Sequence, residues 1–216
     1  MAKSNFEIEY DLYVKENYMG KAMERDGYVV IDDFLYPEVA DELHSLALNS
    51  TKVDDVYPNG GYHSINYDKD NVPFEILPTI INTMQDAFNP IEDLEFDRGW
   101  TFVCNGEGEG VTPHADPAKI NVNLWVTRNE CVSDFQKNGL IIYDKQPPED
   151  WPYEKYNNDP EAVEAYIKES NAMARYIPYN FNRIIIFNSK YFHKTNGVSM
   201  KSGDNNRRVN YTFMFS

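Results

Sequence analysis

The chain has 216 residues, 42% hydrophobic and 25% charged, with no low-complexity tract; this is the composition of one ordered globular domain and excludes a disordered chain. A net charge of -15, from 35 acidic against 20 basic residues, repels a phosphate backbone over most of the surface and disfavours nucleic acid as a partner, with Lys201 to Arg208 the one candidate basic stretch. Cys104 and Cys131 are the only cysteines, no run approaches the ~20 apolar residues of a membrane span, and residues 1–13 lack the apolar core of a signal peptide, so a membrane-free, cytoplasmic protein in a reducing compartment is expected.

In chain order, the pattern from Asp11 to Arg25 predicts a helix that Gly27 ends. A β-branched strand follows from Tyr28 to Phe34, and Pro37 opens a helix to Asn49 with Leu43, Leu46 and Leu48 on one side. Ser50 to Asn71 is rich in Gly, Asn and Asp with Tyr57, Tyr62 and Tyr67 interleaved, which predicts a loop bordering a pocket mouth. A helix from Ile76 to Phe88 and an alternating strand from Leu94 to Asn105 come next.

The second half reads as strands at Ile120 to Thr127, Gly139 to Tyr143, Ala174 to Pro178, Arg183 to Phe187 and Arg207 to Phe215. That spacing predicts an antiparallel sandwich or barrel. Pro147 to Asn171, with Trp151, Tyr153, Tyr156 and a helical stretch from Pro160 to Glu169, is too long for a hairpin connection and reads as an insertion. It is either a lid over a site or a hydrophobic element packed on the barrel.

Three segments carry chemistry. In an extended His114-Ala115-Asp116, residues i and i+2 project to one face, so an imidazole and a carboxylate can reach one ion; the plain alternative is a surface turn. His193 follows the apolar strand ending at Phe187-Asn188-Ser189, and its plain reading is a histidine capping a turn. Two histidines and one carboxylate would leave three open positions on an octahedral iron(II). On the last strand, alternation places Arg208, Asn210 and Thr212 on one face and Val209, Tyr211, Phe213 and Phe215 on the other. A buried arginine needs an anion, and a carboxylate suits its two-point fork; otherwise Arg208 points to solvent or pairs with a surface acid.

The order of these segments resembles the 2-oxoglutarate, iron(II)-dependent oxygenase superfamily. The resemblance covers residues 27 to 215. It rests on the Gly106 to Thr112 turn before Pro113-His114-Ala115-Asp116, on Asn121 to Thr127 as the following strand, on Gly139 to Tyr143, and on Gly27 to Leu35, which is similar to the amino-terminal strand of prolyl-hydroxylase-like and phytanoyl-CoA-hydroxylase-like members. Two departures are Asn210, where many relatives have Ser, and Asn182-Arg183, where Gly-Asp often opens the strand toward the second histidine.

The resemblance implies a mainly β fold, a double-stranded β-helix of the jelly-roll, cupin-like type, forming a single domain over residues 1–216. Helical amino-terminal support spans about 9–90 and an insertion or lid about 147–171. It implies that His114, Asp116 and His193 hold iron(II) and are the catalytic residues. Arg208 then takes the distal carboxylate of 2-oxoglutarate, Asn123 contacts the cosubstrate or groups on the iron, and Asn210 and Thr212 complete the cosubstrate site. Dioxygen is the oxidant and ascorbate the supporting reductant. Asp116 stands where related halogenases have a small residue, so hydroxylation of a peptidyl or small-molecule substrate is expected, with release of succinate and CO2. His63 and His44 are expected to be solvated or packed. A non-catalytic barrel that binds a ligand or protein partner is the alternative from another class, disfavoured because all three ligand positions and the arginine stand together; a cupin-like enzyme without 2-oxoglutarate leaves Arg208 without a role. Oligomeric state is left open.

Overall fold

The computed structural model describes residues 21–57 and 61–216. Residues 11–20 of the expected first helix lie outside this range; residues 21–26 are helical, and Gly27 follows with φ +75°, a conformation glycine adopts without steric cost. The strands are β1 (Tyr28–Ile31), β2 (Asp55–Tyr57), β3 (Tyr62–Asp68), β4 (Phe96–Cys104), β5 (Glu107–Gly108), β6 (Ile120–Trp125), β7 (Leu140–Tyr143), β8 (Ala174–Ile177), β9 (Arg183–Asn188), β10 (His193–Thr195), β11 (Val198–Ser199) and β12 (Arg208–Phe215). The helices are α1 (Pro37–Asn49), α2 (Leu77–Ala87), α3 (Tyr153–Asn158) and α4 (Pro160–Glu169).

A large antiparallel sheet runs β1-β9-β6-β12-β4-β3-β2, a smaller one β10-β7-β8, and β11 pairs with β5. This is the double-stranded β-helix expected from the sequence. The alternation of β9 shows how it is layered: Ile184 and Ile186 join the core beneath α1 and α2, whereas Ile185 and Phe187 face Leu140, Ile142 and Ile177 of the smaller sheet. β12 divides as its period of two predicts. Val209, Tyr211, Phe213 and Phe215 pack against the helices, and the Tyr211 hydroxyl donates to the Leu43 carbonyl of α1 at 2.7 Å.

The segment Ser50 to Asn71, expected to be a loop, holds β2 and β3. Ile65 and Tyr67 reach the helix-side core, but Ser64, Asn66 and Asp68 line a cavity. Ser64 to Asp68 does alternate polar and apolar residues, but the Gly, Asn and Asp content of the surrounding segment masked that period of two.

Asn182, one of the two departures from the family pattern, sits at φ +57° with its side chain fully buried. Asparagine and glycine are the residues that tolerate this left-handed backbone, so Asn here meets the same backbone requirement as Gly. It also does more: its Oδ1 accepts from Leu35 N–H at 2.9 Å, its Nδ2 donates to Leu35 carbonyl, and its own N–H bonds Trp125 carbonyl at 2.8 Å. Asn182→Ala is therefore expected to cost about 2–4 kcal/mol, from backbone strain plus two lost buried hydrogen bonds. Asn182→Gly keeps the backbone and should cost less. Urea denaturation of both variants checks the order.

Candidate metal centre

The site forms where the chain between β5 and β6 meets the start of β10. His114 and His193 form an isolated bridge, His114 N–H donating to His193 carbonyl at 3.1 Å and His193 N–H to His114 carbonyl at 2.8 Å, while Asp116 N–H donates to Ser189 carbonyl at 2.9 Å. His193 thus opens β10 of the smaller sheet; the expected delivery by the strand before it is completed by a turn through residues 189–192.

One ligand atom from each of His114, Asp116 and His193 lies within 4.8 Å of the others. His114 Nε2 is 3.8 Å from Asp116 Oδ1, and His193 Nε2 is 3.4 Å from Oδ2. The other ring nitrogens face carbonyls: His114 Nδ1 lies 2.7 Å from Thr112 O and His193 Nδ1 2.9 Å from Tyr191 O. A carbonyl only accepts, so each Nδ1 donates to its carbonyl and each Nε2 is turned toward the shared gap. Burial, aided by His193, pulls the His114 pKa below its ordinary 6.5 against the opposing pull of Asp116 and Thr112, which favours the neutral imidazole. Burial opposes ionisation of Asp116, yet the two imidazoles and the Asn157 amide hold its pKa below 3.8. Two imidazoles whose Nε2 atoms face the gap and one carboxylate are a fitting donor set for a divalent first-row metal.

The triad lines a cavity of about 1170 Å³ together with Arg208, Asn210 and Thr212 of β12 and Asn123 of β6. The β6–β12 register sets Thr212 opposite Asn123. Asn123 Oδ1 accepts from Thr212 Oγ1 at 3.1 Å and from Asn210 Nδ2 at 3.4 Å, and Asn210 Oδ1 accepts from Arg208 Nη1 at 3.0 Å. All four residues expected around the cosubstrate are brought into one network, and Asn210 bonds the arginine itself.

Arg208 is only 4% exposed, its Nε finds no acceptor, and among the described residues no carboxylate pairs with it. Its neighbours are not counterions. Trp125 and Tyr179 stack on each other at 5.1 Å beside the guanidinium, each ring centroid 5.7 Å from Cζ; burial raises the Tyr179 hydroxyl and the Cys104 thiol above their ordinary pKa values, so both stay neutral. A buried cation without an anion is unfavourable, and an anionic ligand removes that deficit.

Two residues holding Asp116 were not anticipated. Asn121 Nδ2 donates to Oδ2 at 2.6 Å, and Asn157 Nδ2 to Oδ1 at 3.2 Å. Asn121 shares the inward face of β6 with Asn123, so its period of two could have found it; nothing local marks Asn157. Within the insertion, Trp151 and Tyr156 pack with Tyr166 and Ile167 around Ala115, Val163 and Phe192, while Tyr153 lines the cavity. His44 bonds the Arg207 carbonyl at 3.0 Å, and Cys104 and Cys131 are free thiols. His63 points away from the cavity that Tyr62 and Ser64 line.

Fold and donor set together define a double-stranded β-helix with a His-x-Asp and His site facing a buried arginine. No family model and no curated protein sequence matches the chain. Among solved structures it is similar to a prolyl-4-hydroxylase of Pseudomonas putida, with TM-score 0.57 and 9% identity over 91% of this chain and 96% of that one. HygX of Streptomyces hygroscopicus, solved with nickel and 2-oxoglutarate bound, gives TM-score 0.63 and 10% identity over 93% and 86%. SnoN, a non-haem α-ketoglutarate-dependent epimerase from nogalamycin biosynthesis, gives 0.63 and 14% over 91% and 81%. The fold is the one these structures share. No helix among the described residues is long and apolar enough to cross a membrane.

Proposed function

We propose that the protein is a non-haem iron(II), 2-oxoglutarate-dependent oxygenase that hydroxylates a C–H bond of a peptidyl or small-molecule substrate. His114, Asp116 and His193 hold the iron, and Arg208 binds the distal carboxylate of 2-oxoglutarate. The observation that carries this reading is Arg208: a buried guanidinium without a carboxylate partner opens on the same cavity as three convergent metal-ligand atoms. A ligand-free structural barrel has no use for either feature, and a metal enzyme without a dicarboxylate has no use for the arginine.

When bound, iron(II), 2-oxoglutarate and dioxygen supply the oxidation, with CO2 and succinate leaving and ascorbate keeping the metal reduced. The chain's own residues bind and orient. Arg208 offers a two-point fork to the carboxylate, and Asn210 fixes one arm of that fork through Nη1. Thr212 and Asn123 present hydroxyl and amide groups to the rest of the cosubstrate. Thr112 and Tyr191 carbonyls lock the imidazoles with Nε2 facing the gap, and Asn121 and Asn157 steady the carboxylate. Trp125 and Tyr179 keep water from the guanidinium, which strengthens its pairing.

The cavity exceeds the few hundred Å³ of a minimal ligand site, leaving room beside the cosubstrate for a substrate or a substrate side chain. HygX has also been solved with hygromycin B bound, which supports a small molecule among the two substrate types. The free thiols Cys104 and Cys131 support a reducing, cytoplasmic setting. The test is a succinate-release assay on purified protein with iron(II), 2-oxoglutarate and ascorbate, extended over peptides, amino acids and small molecules. Succinate above a metal-free control is expected, rising with the right substrate. None under any condition would sink the reading.

A further inference from the structure

We propose that Asn157 is a positioning residue for the metal carboxylate, and that helix α3 of the insertion is built into the metal centre and is not a detachable cover. This rests on the metal reading of His114, Asp116 and His193. The argument begins with backbone hydrogen bonds in the ligand-bearing turn. His114 spends its N–H and carbonyl on His193, and Asp116 its N–H on Ser189. Ala115 lies between the two ligands and faces the other way. Its N–H donates to Tyr156 carbonyl at 3.0 Å, and its carbonyl accepts from Asn157 Nδ2 at 2.8 Å. The same Asn157 nitrogen reaches Asp116 Oδ1 at 3.2 Å. Two adjacent residues of α3 thus satisfy both peptide groups of Ala115 and touch the carboxylate beside it.

The carboxylate is held symmetrically. Oδ2 faces His193 Nε2 and accepts from Asn121, and Oδ1 faces His114 Nε2 and accepts from Asn157. Without Asn157 the Oδ1 side is unrestrained, and Asp116 can rotate about its Cβ–Cγ bond. Asn121 belongs to β6, a central strand of the large sheet. Asn157 belongs to a six-residue helix that holds its place through packing: Trp151, just before it, contacts Phe192 and Tyr166, with ring centroids 6.3 and 5.3 Å apart, and Ala115 itself is fully buried in that cluster. Lifting α3 off the barrel therefore breaks three hydrogen bonds at the metal loop. Since Tyr153 of the same helix lines the cavity, occupancy of the cavity mouth and geometry of the metal carboxylate are mechanically joined.

The experiment uses cobalt(II) alone as probe, added to the metal-free full chain, with affinity and the visible ligand-field spectrum as readouts and no turnover needed. Asn157→Ala and Asn157→Leu, the second keeping the side-chain volume, are both expected to bind cobalt(II) about 10-fold or more weaker than wild type, the range for losing a partner that orients a ligand, with a shifted spectrum. Wild-type affinity and spectrum in both variants would overturn the proposal. Asp116→Ala runs alongside: if it and the wild type give identical isotherms, the metal reading beneath the proposal fails instead.

Discussion

Asp116→Ala protein is expected to bind iron(II) more than about 100-fold weaker than wild type and to release succinate only at the background rate. The bound is set by the 10–100-fold loss typical of residues that only orient a ligand, since removing a ligand itself must cost more. The carboxylate is the one anionic member of the triad and supplies the charge that offsets a divalent cation in a buried site. Its removal also leaves the amides of Asn121 and Asn157 facing a gap, so neither can restore the charge. Isothermal titration with metal, beside the succinate assay, checks both quantities. Undiminished metal affinity would refute the role of Asp116.

Arg208→Ala is expected to raise the Kd for 2-oxoglutarate by about 100-fold while metal affinity stays within about twofold. Truncating one partner of a desolvated charge pair costs ~2–5 kcal/mol, and about 2.7 kcal/mol corresponds to the stated factor. The metal is spared because no hydrogen bond joins the Arg208, Asn210, Thr212 and Asn123 network to Asp116 or either histidine among the described residues. A companion variant sharpens the test. Arg208→Met fills much of the same space without charge, and because the guanidinium has no carboxylate partner when the cavity is empty, this variant should be no less stable than wild type in the absence of ligand. Wild type then gains melting temperature on adding 2-oxoglutarate, as any ligand selective for the folded state requires, and the variant does not. Loss of metal binding in Arg208→Ala, with 2-oxoglutarate binding retained, would show that the two roles have been exchanged.

Much of the site was legible because its residues lie on extended segments where a period of two decides direction. The division of β12 into Arg208, Asn210 and Thr212 against Val209, Tyr211, Phe213 and Phe215 is a local property, and the cavity and core occupy the faces it assigns. The pairing of His114 with Asp116 is local in the same sense. β3 was missed although Ser64-Ile65-Asn66-Tyr67-Asp68 alternates polar and apolar residues, because the turn-forming Gly, Asn and Asp residues around it outweighed that period of two.

Residue spacing by itself determined that His114 and Asp116 can share one face, the two faces of the arginine strand and the antiparallel architecture, because each depends on residues a few positions apart or on the sequence of strands. Only the tertiary structure decided that His193 meets His114 through a two-bond bridge between distant segments, that Arg208 is buried beside the stacked rings of Trp125 and Tyr179 without a counterion, and that the insertion packs onto Ala115 instead of standing clear of it. The reason is physical. Direction along a strand is set by neighbouring φ and ψ, but desolvation, the absence of a charge partner and the grip of Asn157 on Asp116 arise only when remote surfaces pack, and no periodicity in the chain records which surfaces those are.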